Sequence, residues 1–316
     1  MTAIETAGLT RRFGELVAVD DLDLAVDREV FGLLGPNGSG KTTTVLMLTT
    51  LLRPSAGTAS ISGYDVVRSA ARVRERISYV PQDMAVDIKL TGRENVAFFA
   101  ALYGIGGRDR VDEVLGIMDL ADRADDLAGT YSGGMRRRLE LAQALVHEPE
   151  VLFLDEPTIG LDVAGRRGIW THIAELRKRG MTVFVTTHYM DEADQACNRV
   201  GVIARGRLAA VDAPAALRHQ LGGERISIQI DRPAPPVSVE GARLVRREGD
   251  RLVYHADDAA DAVPALIAGL TAEGIRVSGL EVAAPTLDDV FLALAGQQDD
   301  GGAFDYRQFR NMIRRR

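Results

Sequence analysis

The chain predicts an α/β fold with a largely parallel sheet, followed by a small α+β domain. Three observations point there. Short apolar runs, "VFGLLG", "VLFLDEP", "MTVFVTTH" and "RVGVIARG", alternate with helical patterns, as strands covered on both faces of a parallel sheet do. Between Gln82 and Tyr131 the pattern turns mostly helical, so a helical subdomain is expected at about residues 83–145. At "QLGGERISIQIDRPAPPVSV" the sequence breaks. Gly222 and Gly223 read as a linker, and the Pro-rich stretch after Ile230 reads as a loop. The expected division is 1–221, 222–296 and a polar, then basic tail at 297–316.

Within the helical part, "TGRENVAFFAALYG" opens with Thr91 and carries Glu94 three residues on, a capping-box pattern. Phe98, Phe99 and Tyr103 read as core. Past the break, "RISIQI" and "RLVYH" read as strands, "DAVPALIAGLTAEG" as a helix, "IRVSGLEVA" as a strand and "TLDDVFLALAG" as a closing helix. In that last helix Leu287, Val290, Phe291 and Leu294 fall on one stripe. The stripe completes its own domain's core or, with Asp288 and Asp289 at its edge, touches a second copy.

Composition narrows the function. Of 316 residues, 46% are hydrophobic, enough for packed cores, and the net charge of −7 weighs against a nucleic-acid partner. A single cysteine, Cys197, excludes a disulfide framework and a multi-cysteine zinc site. No apolar run reaches the ~20 residues of a membrane helix. The opening "MTAIETAGLTRRFG" lacks a signal-peptide core, so a cytoplasmic location is expected.

The strongest motif is "VFGLLGPNGSGKTTT", which fits G-x-x-x-x-G-K-S/T from Gly35 through Gly40, Lys41 and Thr42. Glycines let the backbone curl until successive N–H groups face phosphate oxygens, and the following helix adds its dipole. Pro36, Asn37, Gly38, Ser39 and Thr43 complete the loop. Lys41 is expected on the β- and γ-phosphates and Thr42 on a magnesium ion. "VLFLDEP" ends an apolar strand in two carboxylates, which need metal, donors or water. Asp155 suits the metal and Glu156 a base polarising the attacking water. His188 ends another apolar run, where ligands meet open α/β sheets. In "TYSGGMRRRLELAQALV", Ser132, Gly133 and Gly134 precede a helix whose first turn holds three arginines. That placement is unfavourable, since a helix N-terminus already carries about +0.5 charge.

Together, in this order, the motifs resemble those of ATP-binding subunits of ABC transporters, over roughly residues 2 to 220. The resemblance implies ATP and Mg2+ as ligands. Phe13 matches the aromatic that stacks on adenine, and Gln82 the glutamine that senses the γ-phosphate beside the metal and faces the membrane subunit. Ser132, Gly133 and Gly134 match the signature motif, Asp162 the loop crossing the dimer interface, and His188 the switch histidine. It also implies two nucleotide domains meeting head to tail. The partners would be a second ATP-binding subunit, identical or a sister chain, and separate multi-span permease subunits, with the chain on the cytoplasmic face of the membrane. Arginines 136 to 138 would be tolerated where an anion docks nearby. Two positions depart from the family pattern: Met135 stands for the usual glutamine, and Phe13 for the commoner tyrosine.

"DVAGRRGIW", "TTHYMDEAD" and "PTLDDVFLALAG" further resemble drug-exporter ATPases of the daunorubicin-resistance type, a likeness shared by exporters of lipids and polyketides. A soluble ABC ATPase acting on the ribosome is the other reading, although that group usually carries two ATPase modules and one phosphate loop is present here. No N-K-x-D element suggests a GTPase.

Overall fold

The structure is a computed structural model that describes residues 2–83, 85–232 and 237–296, without the side chains of 295 and 296. The tail at 297–316 lies outside the described residues. The chain forms two compact units that part between Val211 and Asp212.

The first unit opens with β1 (Ile4–Phe13), β2 (Leu16–Val26), β3 (Val30–Leu34) and α1 (Lys41–Leu48). Next come β4 (Ala56–Ile61), β5 (Tyr64–Asp65), α2 (Ala70–Arg74) and β6 (Ile77–Val80). A helical stretch follows, with α3 (Gly92–Leu102), α4 (Asp109–Ile117) and α5 (Gly133–Leu145). The unit closes with β7 (Val151–Asp155), α6 (Val163–Lys178), β8 (Thr182–Thr187), α7 (Met190–Ala196), β9 (Arg199–Ala204) and β10 (Arg207–Asp212).

The main sheet runs β10-β9-β3-β8-β7-β6, with β9, β3, β8, β7 and β6 parallel as expected. A second sheet, β2-β1-β4-β5, is antiparallel. Its strands carry charged residues on the open face, so no continuous apolar run announces them. Phe31, Phe153 and Phe184 stack through the core at centroid separations of 5.3 and 5.5 Å. Cys197 is buried there, and burial pushes its thiol up to about 12, so it is a neutral packing group.

The Thr91–Glu94 capping box forms in both directions, with Glu94 Oε2 accepting from Thr91 N at 2.8 Å and Thr91 Oγ1 from Glu94 N at 3.1 Å. Phe98 and Tyr103 are not core. Helix α3 buries Asn95, Val96 and Ala100, which turns Phe98 outward at 57% exposure, with Leu102 and Tyr103 also exposed and Phe99 half-buried. Helices α4 and α5 cap each other. Arg110 of α4 donates to Leu145 O and Val146 O at 2.6 and 3.0 Å, and Arg138 of α5 to Met118 O and Asp119 O at 3.0 and 3.2 Å. Each guanidinium thus satisfies carbonyls that a helix end leaves open.

The second unit holds α8 (Pro214–Leu221), β11 (Glu224–Ile230), β12 (Ala242–Glu248), β13 (Arg251–Ala256), α9 (Ala259–Ala272), β14 (Val277–Ala283) and α10 (Leu287–Gly296). Its sheet runs β12-β13-β11-β14, all antiparallel. Helix α8 packs on α10, so the unit begins ahead of it and not at the glycine pair. Gly222 and Gly223 form a tight turn at φ +67° and +66°. A Cβ on Gly223 would stand 2.3 Å from Ala256 O. On α10, Leu287, Val290 and Leu294 are buried and Phe291 is half-buried. Asp289 is buried too, its Oδ2 accepting from Thr286 N at 2.7 Å and Thr286 Oγ1 at 2.8 Å. That carboxylate belongs to a cap, not to an exposed acidic edge.

Candidate active site

Parallel register brings the chemistry together. Leu34 pairs with Thr187, and Asp155 with Thr186, so β3, β8 and β7 end side by side. Gly35, Glu156 and His188 each lie one residue past those ends, where open α/β sheets bind ligands. Val80 pairs with Leu154, which sets Gln82 just beyond β6.

The phosphate loop needs its glycines. A Cβ on Gly35 would meet Ile203 O at 2.3 Å, and one on Gly40 would meet Ala18 O at 2.5 Å. Gly38 and Gly40 sit at φ +80° and +108°, and Gly40 starts α1 without a side-chain cap. Ser39 Oγ is buried and, among the described residues, has no hydrogen-bond partner. Uncapped N–H groups, an unpartnered hydroxyl and a buried ammonium fit an anion such as a nucleotide phosphate. Lys41 Nζ donates to Gly35 O at 2.7 Å and Pro36 O at 3.2 Å. Thr42 is exposed at the same helix start, and Thr43 half-buried.

Lys41 also pairs with Glu156 Oε1 at 3.2 Å, while His188 Nδ1 lies 2.6 Å from Glu156 Oε2. A carboxylate there requires His188 to carry a proton on Nδ1. Glu156 is buried at φ +49°, a conformation that side chains other than glycine adopt under constraint and that marks functional sites. The Thr186 hydroxyl donates to Asp155 Oδ1 and accepts from Glu156 N at 3.1 Å, so one side chain orients both acids. Tyr79 stands near them. Burial, with the negative charge of Asp155, pushes its phenol up to about 12, keeping it neutral.

Phe13 is 45% exposed at the end of β1, with the Arg11 guanidinium 4.5 Å from its ring centroid. Gln82 is exposed on the loop leaving β6. Ser132, Gly133, Gly134 and Asp162 gather elsewhere, around a groove of about 630 Å³ between the starts of α5 and α6. Ser132 Oγ accepts from Met135 N at 3.2 Å, and Asp162 Oδ1 from Gly165 N at 2.7 Å. Among the described residues neither shares a hydrogen bond with the phosphate loop, Asp155, Glu156 or His188. The structure therefore builds two clusters, the first of them bringing Lys41, Asp155, Glu156 and His188 together.

Comparison with known proteins decides the family. The chain is 44% identical to a daunorubicin resistance ATP-binding protein of Streptomyces coeruleorubidus, over 93% of this chain and 96% of that one. The chain belongs to the ABC transporter ATP-binding family. Its members are ATPases that power transport, and their nucleotide is ATP. A family model described as ABC transporter matches residues 19–159, and one for the C-terminal domain of DrrA1-3-like ATP-binding proteins matches 213–295. A linearmycin resistance ATP-binding protein of Bacillus subtilis is 33% identical over 93% of this chain and 98% of its own length. Among solved structures, a subunit of an ABC transporter complex from Clostridium perfringens superposes with TM-score 0.64 at 28% identity, covering 68% of this chain and 90% of that one. Both relatives are drug- or antibiotic-resistance ATP-binding proteins matched along nearly their whole length.

Sequence reasoning missed Thr186 and Tyr79, although "TTH" at a strand end hinted at Thr186. It also missed a clamp on the His188 loop. Glu192 of α7 accepts from Thr158 Oγ1 at 2.6 Å and Trp170 Nε1 at 2.9 Å, and Arg166 of α6 donates to Tyr189 Oη at 3.1 Å. These bonds tie the helix beginning at Asp162 to the loop carrying His188.

Proposed function

We propose that the chain binds MgATP, pairs head to tail with a second ATP-binding subunit, and drives a separate multi-span membrane partner that exports a drug or other hydrophobic compound. The separation of the two clusters carries this reading. The phosphate loop, Lys41, Asp155, Glu156 and His188 converge within one chain, whereas the Gly-lined start of α5 faces an open groove. A second chain's γ-phosphate suits that start.

Lys41 would leave Glu156 for the β- and γ-phosphates. Glu156, steadied by His188, would then polarise the attacking water, with Gln82 near the γ-phosphate. Thr42, Asp155 and Gln82 would hold Mg2+, which neutralises phosphate charge. Phe13 would stack on adenine. The membrane partner would dock on the helical part, where Ile88, Phe98, Leu102 and Leu127 are exposed. Among the described residues no helix is long and apolar enough to cross a membrane. In this reading the spanning segments belong to the partner, and this chain lies on its cytoplasmic side.

The test is reconstitution with a co-purifying multi-span protein in vesicles. ATP-dependent efflux of a hydrophobic drug is expected. ATP hydrolysis by the same vesicles without efflux of any hydrophobic compound tried would overturn the exporter assignment.

A further inference from the structure

Arg137, the middle of the three arginines, turns away from the groove and is 3% exposed. Its guanidinium donates to Pro81 O at 2.8 Å, Pro157 O at 3.0 Å and Asp155 O at 3.2 Å, and to Glu140 Oε2 at 2.8 Å. Glu140 is equally buried, and its other oxygen accepts from Ala85 N at 2.6 Å. One rigid fork therefore joins three segments: the loop carrying Gln82, the end of β7, and α5. Two of its acceptors, the carbonyls of Asp155 and Pro157, bracket Glu156, the residue held at φ +49°.

Burying an ion pair costs more desolvation than apolar residues of the same volume would, so packing alone does not call for it. A planar guanidinium can hold several carbonyls in fixed relation, which a lysine cannot. We propose that Arg137 and Glu140 are positioning residues for hydrolysis. They hold the turn at Glu156 and lock it to the Gln82 loop, so that a shift of that loop or of α5 reaches the carboxylate. The inference deepens the ATPase reading and rests on it. The pair spends its buried polar atoms on backbone groups at 81, 85, 155 and 157, so nucleotide binding and turnover should separate.

The test uses the full chain with its membrane partner. Arg137→Met alone leaves Glu140 buried without its cation and can fail to fold, so the double variant Arg137→Met/Glu140→Met, which removes both charges, is the informative one. It should bind MgATP within about threefold of wild type, with unchanged KM and a kcat at least tenfold lower. Amide exchange in residues 81–90 should rise at least tenfold. A folded double variant with wild-type kcat, or with wild-type exchange in 81–90, would overturn the proposal. So would a KM that rises in step with the loss of kcat. A wild-type chain that hydrolyses no ATP would remove the ATPase reading and this role together, whereas normal turnover in both chains removes this role alone.

Discussion

Two helices of the first unit start at glycines and offer their N-termini to an anion, yet they are built in opposite ways. Helix α1 starts at left-handed Gly40, has no side-chain cap, and places a buried Lys41 in its first turn against Glu156. Helix α5 is capped by its own Ser132, and its three arginines serve the protein. Arg136 Nε donates to Tyr131 O at 3.1 Å, Arg137 reaches under the site, and Arg138 closes the end of α4. The arginines that look misplaced in sequence are thus carbonyl ligands, one of them also paired with Glu140. What α5 presents to its groove is backbone N–H and dipole, with Arg138 on the groove wall committed to Met118 O and Asp119 O. A helix start of that kind can complete a phosphate site supplied by another chain more readily than it can make one.

Glu156→Gln should break the first site most deeply. The amide keeps the shape but not the charge that Lys41 and His188 meet. Losing a water-activating base typically costs ~10²–10⁴-fold in turnover. MgATP binding should persist, and the variant should collect as an ATP-bound dimer on size-exclusion chromatography. Near-normal turnover would remove Glu156 from its role.

Gly134→Asp should break the second site and spare the first. A Cβ on Gly134 meets Gly165 Cα at 3.5 Å, an ordinary contact, so the variant should fold. Its carboxylate would oppose an incoming phosphate, and like charges brought together across an interface cost several kcal/mol. Hydrolysis should fall while MgATP still binds the single chain. Mixed with a Lys41→Ala chain, it should regain part of its activity through one intact composite site. If nucleotide binding by the single chain is lost instead, α5 serves its own chain's site and the contrast between the helices fails.

Lys41→Ala by itself should weaken MgATP binding. A hydrogen bond to a charged group contributes about 1.5–3 kcal/mol, or roughly ten- to hundredfold in affinity. Isothermal titration reads this directly. An unchanged affinity would confine Lys41 to its bonds with Glu156 and the loop carbonyls.

The contrast also explains what was legible in the sequence. The loop at 35–43, "LDEP" and His188 stood out because a parallel sheet leaves polar residues at strand ends, where they interrupt apolar runs. The capping box at Thr91 and the stripe on α10 were visible for the same local reason. Phe98 and Tyr103 misled because periodicity identifies an apolar residue but not whether anything covers it. Strand β12, "ARLVRRE", went unread because an edge strand with exposed Arg and Glu has no alternation to show. The Arg137–Glu140 pair was illegible for a deeper reason. Its meaning lies in carbonyls at 81, 155 and 157, and no side-chain pattern reports a carbonyl acceptor.

The smallest effects should separate two serines. Ser132 Oγ is exposed and caps Met135 N, while Ser39 Oγ is buried and has no partner among the described residues. Replacing an N-cap serine by alanine costs about 0.5–2 kcal/mol of stability. Ser132→Ala should therefore lower the denaturation midpoint and leave MgATP affinity of the single chain unchanged. Ser39→Ala removes an unsatisfied hydroxyl, so without nucleotide it should be neutral or slightly stabilising. Its cost should appear when MgATP is added, as about 0.5–1.5 kcal/mol of a hydrogen bond not made. Chemical denaturation with and without MgATP measures all four quantities. The comparison between the helices predicts opposite orders for the two variants. Were Ser39→Ala to bind MgATP as wild type does, the buried hydroxyl would not be a phosphate ligand. The α1 site would then rest on backbone N–H groups and Lys41.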